Sequence, residues 1–190
     1  MKLNKAVTII SKIAEVCYWI GFGMVGAIVI SLIAGHHELV SSLTDVDPTA
    51  GKDLIAFGFS ISTVNPSGQT VWGTYLIFFI TLFIMLGLMA MACRNLYLIF
   101  KTTEGKTRYS KGETPFQPEN IRMVREIGMF LTAVPAVGLI MSVIARLALS
   151  GIEIETSMDM HFVIVGLAVI CLSRYFTYGM ELQNEVDGLV

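Results

Sequence analysis

The chain has 190 residues, of which 54% are hydrophobic and only 15% charged, and its mean hydropathy is +0.70. A soluble domain carries about 25% charged residues and hides its apolar surface in one core. This chain has too much apolar surface for that, which excludes an ordinary soluble enzyme, a disordered tail and a secreted disulfide scaffold. The formal charge of −2 gives no ground for direct contact with nucleic acid.

Crossing the hydrocarbon core of a bilayer takes roughly 20 mostly apolar residues. Four stretches meet that length: 13–35, 72–93, 127–149 and 160–180. Lys2, Lys5 and Lys12 precede the first, as in a signal peptide. Its apolar run is about twice a typical signal core, and no Ala-x-Ala site ends it, so it reads as a retained helix. Within it Gly23, Ala27, Ser31 and Gly35 recur every four residues. Small residues at that spacing let helices approach closely in lipid. The stripe is expected to pack on another helix of the chain, with homodimerisation as the other assignment.

In the following loop, 36–71, Ile55, Phe57, Phe59 and Ile61 alternate with smaller residues, the period of a half-buried strand. Asn65-Pro66-Ser67-Gly68 reads as a turn and Gln69-Thr70-Val71 as a short return, giving an external hairpin. After the second span comes a loop over 94–126, polar and glycine-containing at 101–112 and expected to be mobile there. Pro118 then suits a first helical position and Glu119 the positive end of a helix dipole. Ile121, Val124 and Ile127 continue at helical spacing, which predicts a short interfacial amphipathic helix leading into the third span. Pro135, followed by Gly138, predicts a kink in that span.

Lysine and arginine set the orientation. Three lie at the amino end and seven between Arg94 and Arg125. The loop between the first two spans has only Lys52, and the link between the last two has none. Both termini and the middle loop are therefore expected to be cytoplasmic.

Arg174 lies within the fourth span, where a charge is costly, and is expected to pair with Glu15, with Glu126 as the alternative, or to snorkel inward, an ion or substrate pathway being the sharper alternative. Arg146, near the outer end of the third span, is expected to be clasped by Glu153, Glu155 and Asp159 in the link that follows, with binding of an external anion as the alternative. His36, His37 and His161 lie at helix boundaries and read as surface residues, a haem or metal site being the sharper alternative. Cys17, Cys93 and Cys171 form no Cys-x-x-Cys pair and read as small packing residues. The phosphate-loop, nucleophile-elbow and zinc-protease motifs do not occur.

Two passages carry a resemblance. One is Thr114-Pro115-Phe116 with Asn120-Ile121-Arg122 and Arg125-Glu126-Ile127-Gly128. The other is Arg174-Tyr175-Phe176-Thr177-Tyr178-Gly179, then Glu181-Leu182-Gln183 and Val186-Asp187-Gly188-Leu189-Val190. Together they resemble a family of small bacterial four-helix membrane proteins catalogued as domain of unknown function 2975. The resemblance implies no catalytic residues. It does imply a membrane partner for a small cytoplasmic DNA-binding regulator of the helix-turn-helix type.

The expectation is an all-α integral membrane protein of the bacterial cytoplasmic (inner) membrane. It is a four-transmembrane-helix bundle forming a single domain over 1–190, with both termini cytoplasmic and a small external β-hairpin between the first two helices. It is expected to be non-catalytic and to need no cofactor or metal. Its partners are the lipid bilayer and the regulator, held through Arg122, Arg125 and Phe116, with a homodimer or a larger membrane complex left open. Transport of a small solute or lipid, haem- or metal-based electron transfer, and an accessory-subunit role are the alternatives.

Overall fold

The structure, a computed structural model, describes residues 2–35, 53–65, 67, 69–103, 116–149, 151–156 and 159–187. Four long helices dominate it: α1 Lys2–Ile33, α2 Trp72–Thr103, α3 Pro118–Ala148 and α4 Met160–Asp187. Each is long and apolar enough to cross a membrane. Isoleucines such as Ile9, Ile13, Ile20 and Ile30 on α1 are exposed, as a lipid-facing surface requires. Of the most apolar stretches of α2 and α3, 33% and 28% are buried, against 11% for α1 and α4, so the middle two helices carry most of the packing.

Pro118 opens α3, where its missing N–H leaves no bond unmade. The helix then runs unbroken to Ala148, through Pro135. The expected interfacial helix and the third span are thus one element. No turn-forming cluster separates them, and a lone Gly128 is too weak a breaker to end a helix.

The chain divides into two compact units. Unit 1 comprises Met1–Tyr18, Leu88–Ala133 and His161–Val190; unit 2 comprises Trp19–Gly87 and Val134–Met160. In unit 1, α3 and α4 meet backbone to backbone. A Cβ on Gly128 would lie 2.7 Å from the Gly166 carbonyl oxygen, and one on Gly166 would lie 2.9 Å from that of Gly128. Only glycine admits this approach, because the atom in the way is backbone and cannot rotate aside.

Unit 2 contains a three-stranded antiparallel sheet, ordered β1 (Asp53–Ala56), β2 (Phe59–Ser62), β3 (Ile154–Thr156). The single strand expected across Ile55 to Ile61 is instead two strands. Phe57 and Gly58 take φ of 49° and 80°, and Ala56 pairs with Phe59. Two successive positive φ values make the tight turn whose twist matches a hairpin. The reversal leaves Ile55 71% exposed, while Phe59 and Ile61 are almost fully buried. Phe59 stacks on Phe78 at 6.4 Å and lies close to Gly138 of α3, so β2 supplies apolar mass to the helix packing. The Asn65 turn follows. Its side-chain oxygen accepts from the Ser67 and Gln69 amides at 3.1 and 2.8 Å, and Val64 bridges Thr70. β3, from the link between α3 and α4, was not foreseen; Ile61 pairs with Ile154 and the Ser62 amide donates to the Glu153 carbonyl.

The small-residue stripe of α1 does not pack on a neighbouring helix among the described residues. Gly23 and Ala27 are exposed, and a Cβ at Gly23 or Gly35 would meet nothing within 4 Å. Gly35 lies beyond the helix, at φ 79°, and Ser31 donates to the Ala27 carbonyl of its own helix. The packed face carries Val25 and Leu32, with Gly21 against Leu86 and Gly26 against Phe83. At about 100° per residue, Gly23 and Ala27 fall nearly opposite Val25. Gly128→Ala or Gly166→Ala is therefore expected to cost about 1–3 kcal/mol of stability through overpacking. Gly23→Ala should stay within about 0.5 kcal/mol of the parent. Unfolding midpoints of the purified variants in one detergent check both.

Candidate functional site

The polar chemistry of unit 1 gathers where α2 and α3 run side by side. Asn95 of α2 is 6% exposed, and its amide donates to Glu126 Oε2 at 2.9 Å. Arg122, one turn before Glu126 on α3, donates from Nε to Glu126 Oε1 at 2.7 Å. One carboxylate thus ties the two helices and anchors a guanidinium. The i, i+4 spacing puts Arg122 and Glu126 on one face of α3, the face that meets Asn95. Beside this bridge is a groove of about 240 Å³, lined by Asn95, Leu98, Glu119, Arg122, Met123 and Glu126. Buried Gln117, Asn120 and Thr102 add to the polar content of this unit.

A second cluster joins α1 to α2. Glu15, 7% exposed, pairs with Lys12 at 2.9 Å. Lys12 also lies over the Tyr97 ring at 4.9 Å, and Lys101 lies over the same ring at 5.3 Å. The aromatic face holds two ammonium groups that would otherwise repel. The expected Glu15–Arg174 pair is not formed. Lys12 is three residues from Glu15 on the same helical face, whereas Arg174 is exposed, one position round α4 from buried Ser173.

Arg146 does reach the link after α3, where the bond seen among the described residues goes to backbone. Its Nη2 donates to the Ile154 carbonyl at 3.2 Å. Pairing of β3 with β2 turns backbone carbonyls toward the helix end, and the Glu153 side chain is exposed. Of the three residues expected to hold a partner, Arg122 is committed to Glu126, and Phe116 packs within its own chain. The Phe116 ring lies 5.7 Å from that of Phe176, and a Cβ on Gly179 would stand 2.7 Å from it. Arg125 is exposed. His161 is exposed at the start of α4, while His36, His37 and residues 104–115 lie outside the described residues. Cys17 and Cys171 are exposed on their helices instead of packing inward; Cys93 is half-buried. Among the described residues no three of His, Cys, Asp and Glu gather within reach of one metal ion.

Asn95 is the residue the sequence reading passed over. Next to Arg94 at the end of an apolar span it looks like an ordinary headgroup-facing amide, and only the packing of α3 makes it interior. Asn95→Ala should leave Glu126 short of its interhelical donor and lower stability by about 1–3 kcal/mol. Arg122→Ala, which removes an exposed cation, should cost clearly less. Denaturant titration of both variants tests the order, and an Arg122 effect as large as the Asn95 effect would contradict it. Comparison with protein-family models, with curated proteins and with solved structures gives no match for the chain.

Proposed function

We propose that the chain is a multi-pass protein of the bacterial cytoplasmic membrane, with both termini and the loop between α2 and α3 on the cytoplasmic side. In this reading it acts without chemistry of its own, as a regulatory partner that holds a small cytoplasmic helix-turn-helix protein. The observation that supports the orientation is where lysine and arginine lie along the chain. Three lie at the amino end and seven from Arg94 to Arg125, against Lys52 alone in the loop after α1 and none in the link between α3 and α4. Lysine and arginine accumulate on the cytoplasmic side of membrane proteins, because moving them across is disfavoured. The loop between α1 and α2 then faces outward, which makes the β1–β2 hairpin external.

The partner assignment rests on the family resemblance together with the surface that unit 1 offers. Arg94 on α2 and Arg125 on α3 are exposed cations on rigid helices, suited to an acidic protein surface. Phe116 and Arg122 serve to fix that platform and do not contact the partner directly. In a cysteine-free background, Asp53→Cys should react with an impermeant maleimide added to intact cells, and Lys101→Cys only after lysis; the opposite pattern would reverse the orientation. Co-purification from native membranes in mild detergent should recover a small helix-turn-helix protein, and Arg94→Glu with Arg125→Glu should lower its yield about tenfold. Recovery of membrane subunits alone would instead make the chain part of a larger complex.

A further inference from the structure

We propose that the exposed face of α4 holds a phospholipid by its phosphodiester, with Arg174 as the residue that grips it. Arg174 lies inside a helix long and apolar enough to cross a membrane, seven residues before the next charge, Glu181. It is exposed, and among the described residues it makes no hydrogen bond or ion pair. A guanidinium keeps its charge in any surroundings, so at this depth it needs an anion. Gly166 and Ser173 are buried on the packed side of α4, whereas Ile164, Leu167, Cys171 and Tyr178 are exposed together with Arg174. At about 100° per residue these exposed side chains share one face, an apolar strip that ends in the cation and the phenol. A lipid leaflet has the same order, with acyl chains first and phosphate after. Tyr178 marks the level, because a tyrosine ring suits the boundary between chains and headgroups. One helical turn, about 6 Å along the axis, separates it from Arg174, which brings a phosphate at that boundary within reach of the guanidinium.

Charge selects the occupant. α3 packs on α4 through Gly128, and before that crossing it carries Glu119, Arg122, Arg125 and Glu126, two charges of each sign. Glu15 of α1 is bound to Lys12. Glu181 follows two turns later on α4, beyond the three- or four-residue spacing of a direct helical pair. Together with Glu185 and Asp187, all exposed, it repels a ligand that carries a second negative charge. A phosphodiester carries one, and a guanidinium meets two of its oxygens with parallel N–H bonds. A second copy of the chain lacks this complementarity. Copies in one membrane share their orientation, so a symmetric pairing through this face would set Arg174 against Arg174.

The purified full-length protein, offered equal amounts of phosphatidylglycerol and diacylglycerol with the same acyl chains, tests this by native mass spectrometry. Only the first lipid has a phosphodiester. The parent protein is expected to retain it about tenfold better, the scale of one charged hydrogen bond. Arg174→Gln should cut retention of phosphatidylglycerol about tenfold and leave that of diacylglycerol unchanged. Its unfolding midpoint in lipid-free detergent should match the parent's, since the side chain it removes bonds to nothing in the described structure. Inorganic phosphate should fail to displace the lipid, because the acyl chains also hold it to the strip. Equal retention of phosphatidylglycerol by the parent and Arg174→Gln overturns the assignment. So does a lowered midpoint, which would make the arginine a contact within the protein, and displacement by inorganic phosphate, which would make the ligand a free anion. A membrane protein that co-purifies with the parent and is lost with Arg174→Gln would give the face to a protein carboxylate instead.

Discussion

The contact on which unit 1 depends is the glycine-to-glycine approach of α3 and α4. Lipid tails are as apolar as leucine, so transmembrane helices gain little by burying leucine against one another. They gain by coming close enough for dispersion and weak C–H···O contacts to add up along the crossing. Gly128 and Gly166 make that distance available, with Ile170 and Thr132 filling the space on either side. The same pair of helices meets again at Phe116 and Gly179, where an aromatic ring occupies the place of a side chain. Two glycine notches thus hold one helix pair, with the start of α3 pinned against α4. The polar bridge from Glu126 to α2 is placed by that arrangement, since Glu126 lies only two residues before Gly128.

The two units solve different problems with different means. Unit 2 uses rings and strands: Phe22 stacks on Phe83 with centroids 3.9 Å apart, and β2 carries Phe59 and Ile61 inward. Its hydroxyl groups are absorbed locally, as where Thr81 donates to the Ile77 carbonyl and Ser142 to that of Leu139. Unit 1 uses side chains that bond between helices: Asn95 to Glu126, and Lys12 to Tyr97. Interhelical bonds of this kind specify register as well as adding stability, because they are satisfied in one arrangement only.

What could be read in the chain and what could not divide along physical lines. Hydrophobic length is a property of consecutive residues, so all four spans were visible, as was Pro118 as the start of a helix. The turn at Asn65 was visible because its side chain bonds to amides only two and four residues away. Partner choice is different, since it depends on rotation about a helix axis. The stripe from Gly23 to Ser31 had the right spacing and lies on the unpacked face of α1, while Gly128 and Gly166, isolated in sequence, make the close crossing. Glu15 was matched to a cation across the bundle although Lys12, one turn away, had the shorter route. The period-two pattern through Phe57 failed for a local reason, because Gly58 permits a reversal that alternation alone does not reveal. β3 has three residues and is defined by its pairing with β2, so its own sequence carries almost no strand signal.

Helix length connects these details to the proposed orientation. At about 1.5 Å per residue, the 32 residues of α1 or α2 exceed what a hydrocarbon layer of about 30 Å requires. Lys12, Arg94, Arg125 and Glu181 mark where each helix turns polar, and in each case the surplus lies on the unit 1 side. Buried Asn95, Thr102, Gln117 and Asn120 lie in these surplus turns or next to them. Amides and hydroxyls are costly in hydrocarbon but ordinary in a core that borders water and headgroups. The Asn95–Glu126 bond shows α2 and α3 still packed against each other at this polar end. The bridged end of α2 and α3 is therefore the part of unit 1 where polar side chains, and not apolar mass alone, fix the register of the helices.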